Sequence, residues 1–233
     1  MTVTAENLCA RSDGDLSRSG DLLNATPFSR LTSRYDLHDI ATVALLVLLA
    51  VIALGTFGDY AISNDEGVQH HYGQLILEYY RSGLTDTTVF GFRDLYLYGG
   101  LFDIVSVALS QILSVDPFDL RHILCPLIGI AGIGAAAATA RMIAGPRSGL
   151  IAAIALSVCG CWYGGMFNHT KDIPLGAAMA GASFYLIRCG RALPCPRRLD
   201  IILFGLLTGA ALGIRVHAPV SYTHLTLPTN REV

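Results

Sequence analysis

The tetrapeptide Ser63-Asn64-Asp65-Glu66 sets two carboxylates side by side shortly after an uncharged apolar run over 40–57. A carboxylate at such a boundary can take the proton of a hydroxyl as that hydroxyl attacks a carbon, and can stabilise positive charge building on that carbon. Glu66 and His70 stand four residues apart, the spacing that puts two metal ligands on one face of a helix. Lys171-Asp172 place a second pair of ionisable groups just before another apolar run, a depth at which charge is costly and tends to be functional. Each feature has a plainer alternative. Asp65-Glu66 behind Ser63 and Asn64 suit an N-terminal helix cap, His70-His71 suit a solvated interfacial pair, and Lys171-Asp172 suit a surface ion pair at a helix entrance.

The elements that must position these residues are set by composition. Of the 233 residues 52% are hydrophobic and only 15% charged, with a mean hydropathy of +0.50. That balance is too apolar for an ordinary soluble domain and points to an all-α integral membrane protein, a multi-span helical bundle. A spanning helix needs about 20 mostly apolar residues. The segments 40–57, 123–143, 149–163, 174–187 and 201–214 approach this, and the small residues Gly132, Gly134, 135–138, Gly176, Ala177 and Gly181 suit close helix packing in lipid. Basic residues before the first span, around 141–147 and at 188–198 put those connections in the cytoplasm, with the long loop 58–122 outside. Residues 1–39 read as a disordered cytoplasmic leader, because Ser, Asp and Arg dominate and no signal-peptide core is present. Cys125, Cys159 and Cys161 fall within predicted spans, where buried small residues account for them better than a zinc site does.

Within the outer loop, Val68, Tyr72, Leu75, Ile76, Tyr79 and Tyr80 recur at helical spacing opposite Gln69, His70, Gln74 and Glu78, the pattern of an amphipathic juxtamembrane helix. The stretch 100–113 repeats the design, with Leu101, Ile104, Val105, Ala108 and Ile112 on one side and Asp103, Ser106 and Ser110 on the other. Together the two predict a ledge over the membrane core, apolar sides toward lipid.

The order of these elements and several strings resemble the GT-C superfamily of membrane glycosyltransferases, in particular glycosyltransferase family 39 with its protein O-mannosyltransferase and aminoarabinose-transferase branches. The strings are Asn64-Asp65-Glu66, Tyr98-Gly99-Gly100-Leu101-Phe102-Asp103, Leu120-Arg121-His122 and Phe167-Asn168-His169-Thr170-Lys171-Asp172-Ile173-Pro174, within about residues 40–215. The resemblance implies a truncated GT-C fold that moves a sugar from a polyprenyl-phosphate donor to an acceptor hydroxyl at the outer face of a membrane, with the bacterial inner membrane as location. It makes Asp65 the general base, with Glu66 orienting it, binding acceptor or holding a divalent metal. A lipid phosphate leaving group needs cationic partners. Lys171 is the first choice, with Arg81 and Arg121 as alternatives and Asp172 beside Lys171; Glu66 and His70 are the weak metal candidates, with Asp172 or Asp103 as a third ligand. The implied partners are the lipid-linked donor and membrane lipid, with no nucleic acid, and the acceptor stays open. Two other classes compete, a secondary transporter, which would be expected to show internal repeats, and a non-catalytic membrane assembly protein, which has no use for Asp65. The final stretch 221–233 resembles a translated sequencing adapter and is set aside, so the expectation is an N-terminal fragment lacking part of the family's donor pocket and inactive by itself.

Overall fold

The computed structural model describes residues 36–216. Most of the expected leader and the adapter-like stretch 221–233 lie outside the described residues. Within them the chain is all helical. In order the elements are α1 (Leu37–Thr56), α2 (Asn64–Arg81), α3 (Leu101–Leu113), α4 (Pro117–Ala144), α5 (Pro146–Ser157), the short α6 (Gly160–Tyr163) and α7 (Gly165–Asn168), α8 (Asp172–Arg191) and α9 (Arg198–Ile214).

Three helical stretches are long and apolar enough to cross a membrane, Leu37–Asp59, Pro117–Ala144 and Asp172–Arg191, and a fourth is possible if the bent pair α5 and α6–α7 counts as one. These helices are compatible with a membrane protein. Along α1, Ile40, Val43, Val47 and Val51 share an exposed stripe, while Leu49 and Ala53 face the core. An exposed apolar stripe of that length suits hydrocarbon better than water.

The helix boundaries depart from the sequence expectations for local reasons. Asp36 precedes α1 and its backbone N–H donates to Asp39 Oδ2 at 3.1 Å, so the first apolar helix starts inside the expected leader. Asp116 accepts from the N–H groups of Phe118 and Asp119 at 2.9 and 3.2 Å, and Pro117 opens α4. This cap brings 117–122, expected in the outer loop, into the first turns of α4 and places Arg121 and His122 on the helix. The expected span 149–163 is broken, because α5 ends at Ser157 and turns by 65° into α6. Ser157 Oγ donates back to the Ala153 carbonyl at 2.7 Å and Cys159 adopts an extended backbone. The poor helix formers Gly160, Gly164 and Gly165 follow.

Helix α4 is central and packs against α1, α3, α5 and α8, while α9 packs on α8. Small residues carry these crossings. A Cβ on Gly132 would lie 2.9 Å from Ala177 Cα, and one on Gly181 would lie 2.9 Å from Leu207 Cδ1. Between α4 and α5 the chain reverses at Gly145, whose φ of 93 excludes most side chains.

The ends of the bundle differ in chemistry. At one end Arg141 donates to Asp39 through Nε at 2.5 Å and Nη2 at 2.8 Å, Arg191 donates to the Met142 carbonyl at 2.7 Å, and Arg188 pairs with Asp200 at 3.2 Å. These contacts gather the start of α1, the ends of α4 and α8 and the start of α9 at one face. The opposite face holds the start of α2, the start of α8 and the end of α9.

The close crossings make a testable contrast. Gly132→Ala forces α4 away from α8 and is expected to lower stability by about 1–3 kcal/mol. Gly205→Ala, with nothing within 4 Å of its added Cβ, is expected to be neutral or to stabilise by up to about 1 kcal/mol through helix propensity. Thermal unfolding in detergent reads both, and equal effects would contradict the packing.

Candidate functional site

A polar cavity of about 470 Å³ opens at the face opposite the basic end. Asp65 and Gln69 line it from α2, Tyr98 from the loop before α3, Lys171 and Asp172 from the start of α8, and Arg215 from the end of α9. Three of the residues singled out from sequence, Asp65, Lys171 and Asp172, therefore meet, although more than 100 residues separate Asp65 from Lys171 in the chain.

The two adjacent acids have separate fates. Glu66 is fully buried; its Oε2 accepts from the Ser63 backbone N–H at 2.7 Å and its Oε1 lies 2.9 Å from His122 Nε2. This is the returning half of a capping box, with a buried tie to α4 added. The capping alternative therefore describes Glu66. Asp65 is exposed and makes no hydrogen bond or ion pair among the described residues, which leaves its carboxylate available in the cavity.

Beneath the cavity lies a buried polar network centred on Arg121, which is 0% exposed. Its Nη2 donates to Asp103 Oδ1 at 2.7 Å, to Gln69 Oε1 at 3.0 Å and to Thr170 Oγ1 at 3.0 Å, and its Nη1 donates to Ser106 Oγ at 3.0 Å. Thr170 Oγ1 also donates to Gln69 Oε1. The guanidinium stands 5.2 Å from the Phe102 ring centre. One side chain thus joins α2, α3, α4 and the segment leading into α8. Burial pushes the Asp103 carboxyl up, and the charge and hydrogen bond of Arg121, then Lys171, pull it back.

This network corrects two expectations. Arg121, an alternative phosphate ligand, is instead a buried strut already matched by a carboxylate. The expected ledge keeps its apolar side outward at α3, where Val105, Ile112 and Leu113 are exposed, but its polar side, Asp103, Ser106 and Ser110, meets protein instead of solvent. Burial of Arg121 is the reason, since an unpaired charge there would be prohibitively costly and the polar stripe of α3 supplies its partners.

Other candidates lie elsewhere. Arg81 donates to Gln111 Oε1 at 2.7 Å near the far end of α2, about 24 Å along the helix from Asp65 at 1.5 Å per residue. His70 Nε2 lies 3.0 Å from Gln74 Nε2, and its ring packs against Phe118. Burial, aided by the charge of Arg121, holds His70 below the usual histidine range. With both Glu66 oxygens engaged, Glu66 and His70 do not fit a metal pair, and no cluster of three His, Cys, Asp or Glu suited to a metal occurs among the described residues.

Sequence reasoning missed Arg215 and Tyr98. Arg215 Nη2 pairs with Asp172 Oδ1 at 2.6 Å, and Lys171 Nζ stands 5.8 Å from the Tyr98 ring centre. The signal for Arg215 was present, because a cation directly after the span 201–214 must fall on the same face as Lys171 if the spans alternate. Tyr98 is held by close approach, since a Cβ on Gly99 would collide with the carbonyl of Gly213 on α9. The Ser63-x-x-Glu66 spacing was the signal that separates the two acids. A second cavity of about 440 Å³, almost wholly apolar, runs between α3, α4, α8 and α9. Leu101, Pro174 and Ile214 on its wall are close chain neighbours of Tyr98, Asp172 and Arg215 on the wall of the first.

No family model matches the chain, and no curated protein or solved structure matches it.

The network generates a stability prediction. Asp103→Ala leaves a buried guanidinium uncompensated and is expected to cost about 3–5 kcal/mol, whereas replacing both partners, Asp103→Leu with Arg121→Met, is expected to recover most of that loss. Denaturation of the three proteins side by side tests this. A single variant no less stable than the double one would show that the pair is not the strut.

Proposed function

We propose that the chain belongs to a membrane glycosyltransferase that moves a sugar from a lipid-phosphate donor to an acceptor hydroxyl. The observation that carries this reading is the unpartnered Asp65 carboxylate in one cavity with Lys171 and Arg215, beside an apolar groove. An amphiphile with an anionic head and a long apolar chain fits both compartments, the head at the cations and the chain in the groove.

In this reading Asp65 takes the proton from the acceptor hydroxyl while the oxygen forms a bond to the anomeric carbon. The bond from that carbon to the phosphate oxygen breaks, and its electron pair leaves with the phosphate. Lys171 and Arg215 offset the charge that the leaving phosphate gains, and the Asp65 carboxylate faces the positive charge developing on the sugar ring. Asp65 then returns its proton to solvent. The Arg121 network and the Glu66–His122 tie hold the floor of the cavity so that base and cations keep their spacing.

The apolar helices support an integral membrane placement, and the basic face supports a cytoplasmic position for it, with the cavity on the outer side of a bacterial inner membrane. Against a transporter stands the sequence, in which no internal repeat of the kind transporter folds are built from is visible.

In membranes carrying the complete enzyme, Asp65→Asn is expected to reduce transfer by about 10²-fold or more at unchanged expression, the loss typical of a general base. Near-normal transfer would remove Asp65 from the mechanism. Lys171→Ala is expected to raise the donor concentration needed for half-maximal rate, with a smaller change at saturation. An unchanged dependence on donor would take Lys171 out of donor binding.

A further inference from the structure

The two arginines of the site are held in opposite ways. Arg121 is locked by a buried carboxylate and three neutral acceptors, so exchanging its partner means breaking the floor of the cavity. Arg215 is held at the cavity wall by Asp172, whose side chain is 57% exposed. Its Nε, like that of Arg121, is buried and has no hydrogen-bond partner among the described residues, so the two arginines differ in the exposure of the carboxylate that holds them. A guanidinium presents five donors in a planar fork suited to two parallel bonds with an oxyanion, so Asp172 engages only part of what Arg215 offers.

Asp172 also lies in the first turn of α8, where the free N–H groups and the helix dipole favour negative charge. Its neighbour Lys171 makes no ion pair among the described residues and rests near the face of Tyr98. An exchangeable carboxylate, an underused guanidinium and an unpaired ammonium thus share one cavity wall. This carboxylate stands where an oxygen of an incoming phosphate would bind.

We propose that the Asp172–Arg215 pair is an intramolecular latch, in which Asp172 competes with a phosphate-type anion for Arg215 and the anion enters by displacing it. The latch deepens the reading of this cavity as the donor site, but it concerns anion binding alone and does not depend on Asp65 acting as a base. Exposed ion pairs contribute little to stability, so the exchange is easy, and a phosphate able to use both edges of the guanidinium is favoured over a single carboxylate.

The test is titration of the full chain in neutral detergent with inorganic phosphate, followed by phosphorus NMR. Asp172→Asn frees Arg215 and is expected to tighten phosphate binding about three- to fivefold, the scale of an exposed pair. Arg215→Gln is expected to weaken binding, and adding Asp172→Asn to it is expected to give little further change. Tightening of the same size with and without Arg215 would make the effect a general consequence of removing a negative charge, and would overturn the latch. No tightening by Asp172→Asn would overturn it as well. Asp172→Ser serves as a second release of the pair should the asparagine variant fold poorly. If neither folds, Arg215→Gln alone decides, because unchanged phosphate binding in that variant is incompatible with the proposal. Sugar transfer is not measured, so a failure of Asp65 as base and a failure of the latch give separate results.

Discussion

A guanidinium buried without any exposure fixes the geometry of this end of the molecule. Arg121 cannot be left uncompensated in an apolar surround, so Asp103, Ser106, Gln69 and Thr170 must all converge on it. These partners come from three stretches of chain, and together they set the crossing of α2, α3 and α4 and the entry into α8. Gln69 stands one helical turn from Asp65 and Thr170 is next to Lys171, so the network that satisfies the buried charge also sets the spacing of the cavity residues. Breaking it would move the site before it touched any cavity side chain.

The apolar runs were readable because a stretch without charge has few alternatives, and 40–57, 174–187 and 201–214 all fall within helices of the structure. Where reading failed, the cause was nonlocal. The periodicity of 100–113 shows two faces on α3 but not which one meets protein, and Arg121 decides that from another helix. The break at Val158 depends on a serine bonding back to its own helix and on glycines beyond it, which mean hydropathy over 149–163 averages away. The early start of α4 was legible in principle, since Asp116-Pro117 is a cap followed by proline at the first helical position.

The site was legible in its parts and less so in its roles. Asp65 and Glu66 carry the same charge and adjoin in sequence, yet a rotation of about 100° per residue around the helix sends one to the cavity and the other to the core. The capping-box spacing distinguishes them because the residue three positions after Ser63 is the one whose side chain can reach back. No comparable local signal marks Arg121 as a strut. A lone arginine near a helix start looks the same whether it faces a ligand or a buried aspartate, and only the assembled fold separates the two.

The vertical arrangement adds an argument that no single residue supplies. Arg121 and Arg141 lie on the same helix, about 30 Å apart at 1.5 Å per residue, which is the thickness of a bilayer's hydrocarbon core at about 30 Å. Both are matched by aspartates from other helices, Asp103 at one level and Asp39 at the other. Between these two ionic layers α4 carries no charged side chain and crosses its neighbours on glycine and alanine. A soluble bundle gains nothing from confining its ion pairs to two layers at this spacing. In a chain that crosses lipid the confinement follows directly, because a charge between the layers would be desolvated without a partner, whereas at the layers each arginine is matched by an aspartate. The cavity with Asp65, Lys171 and Arg215 opens at the Arg121 layer, beside the apolar cavity between α3, α4, α8 and α9.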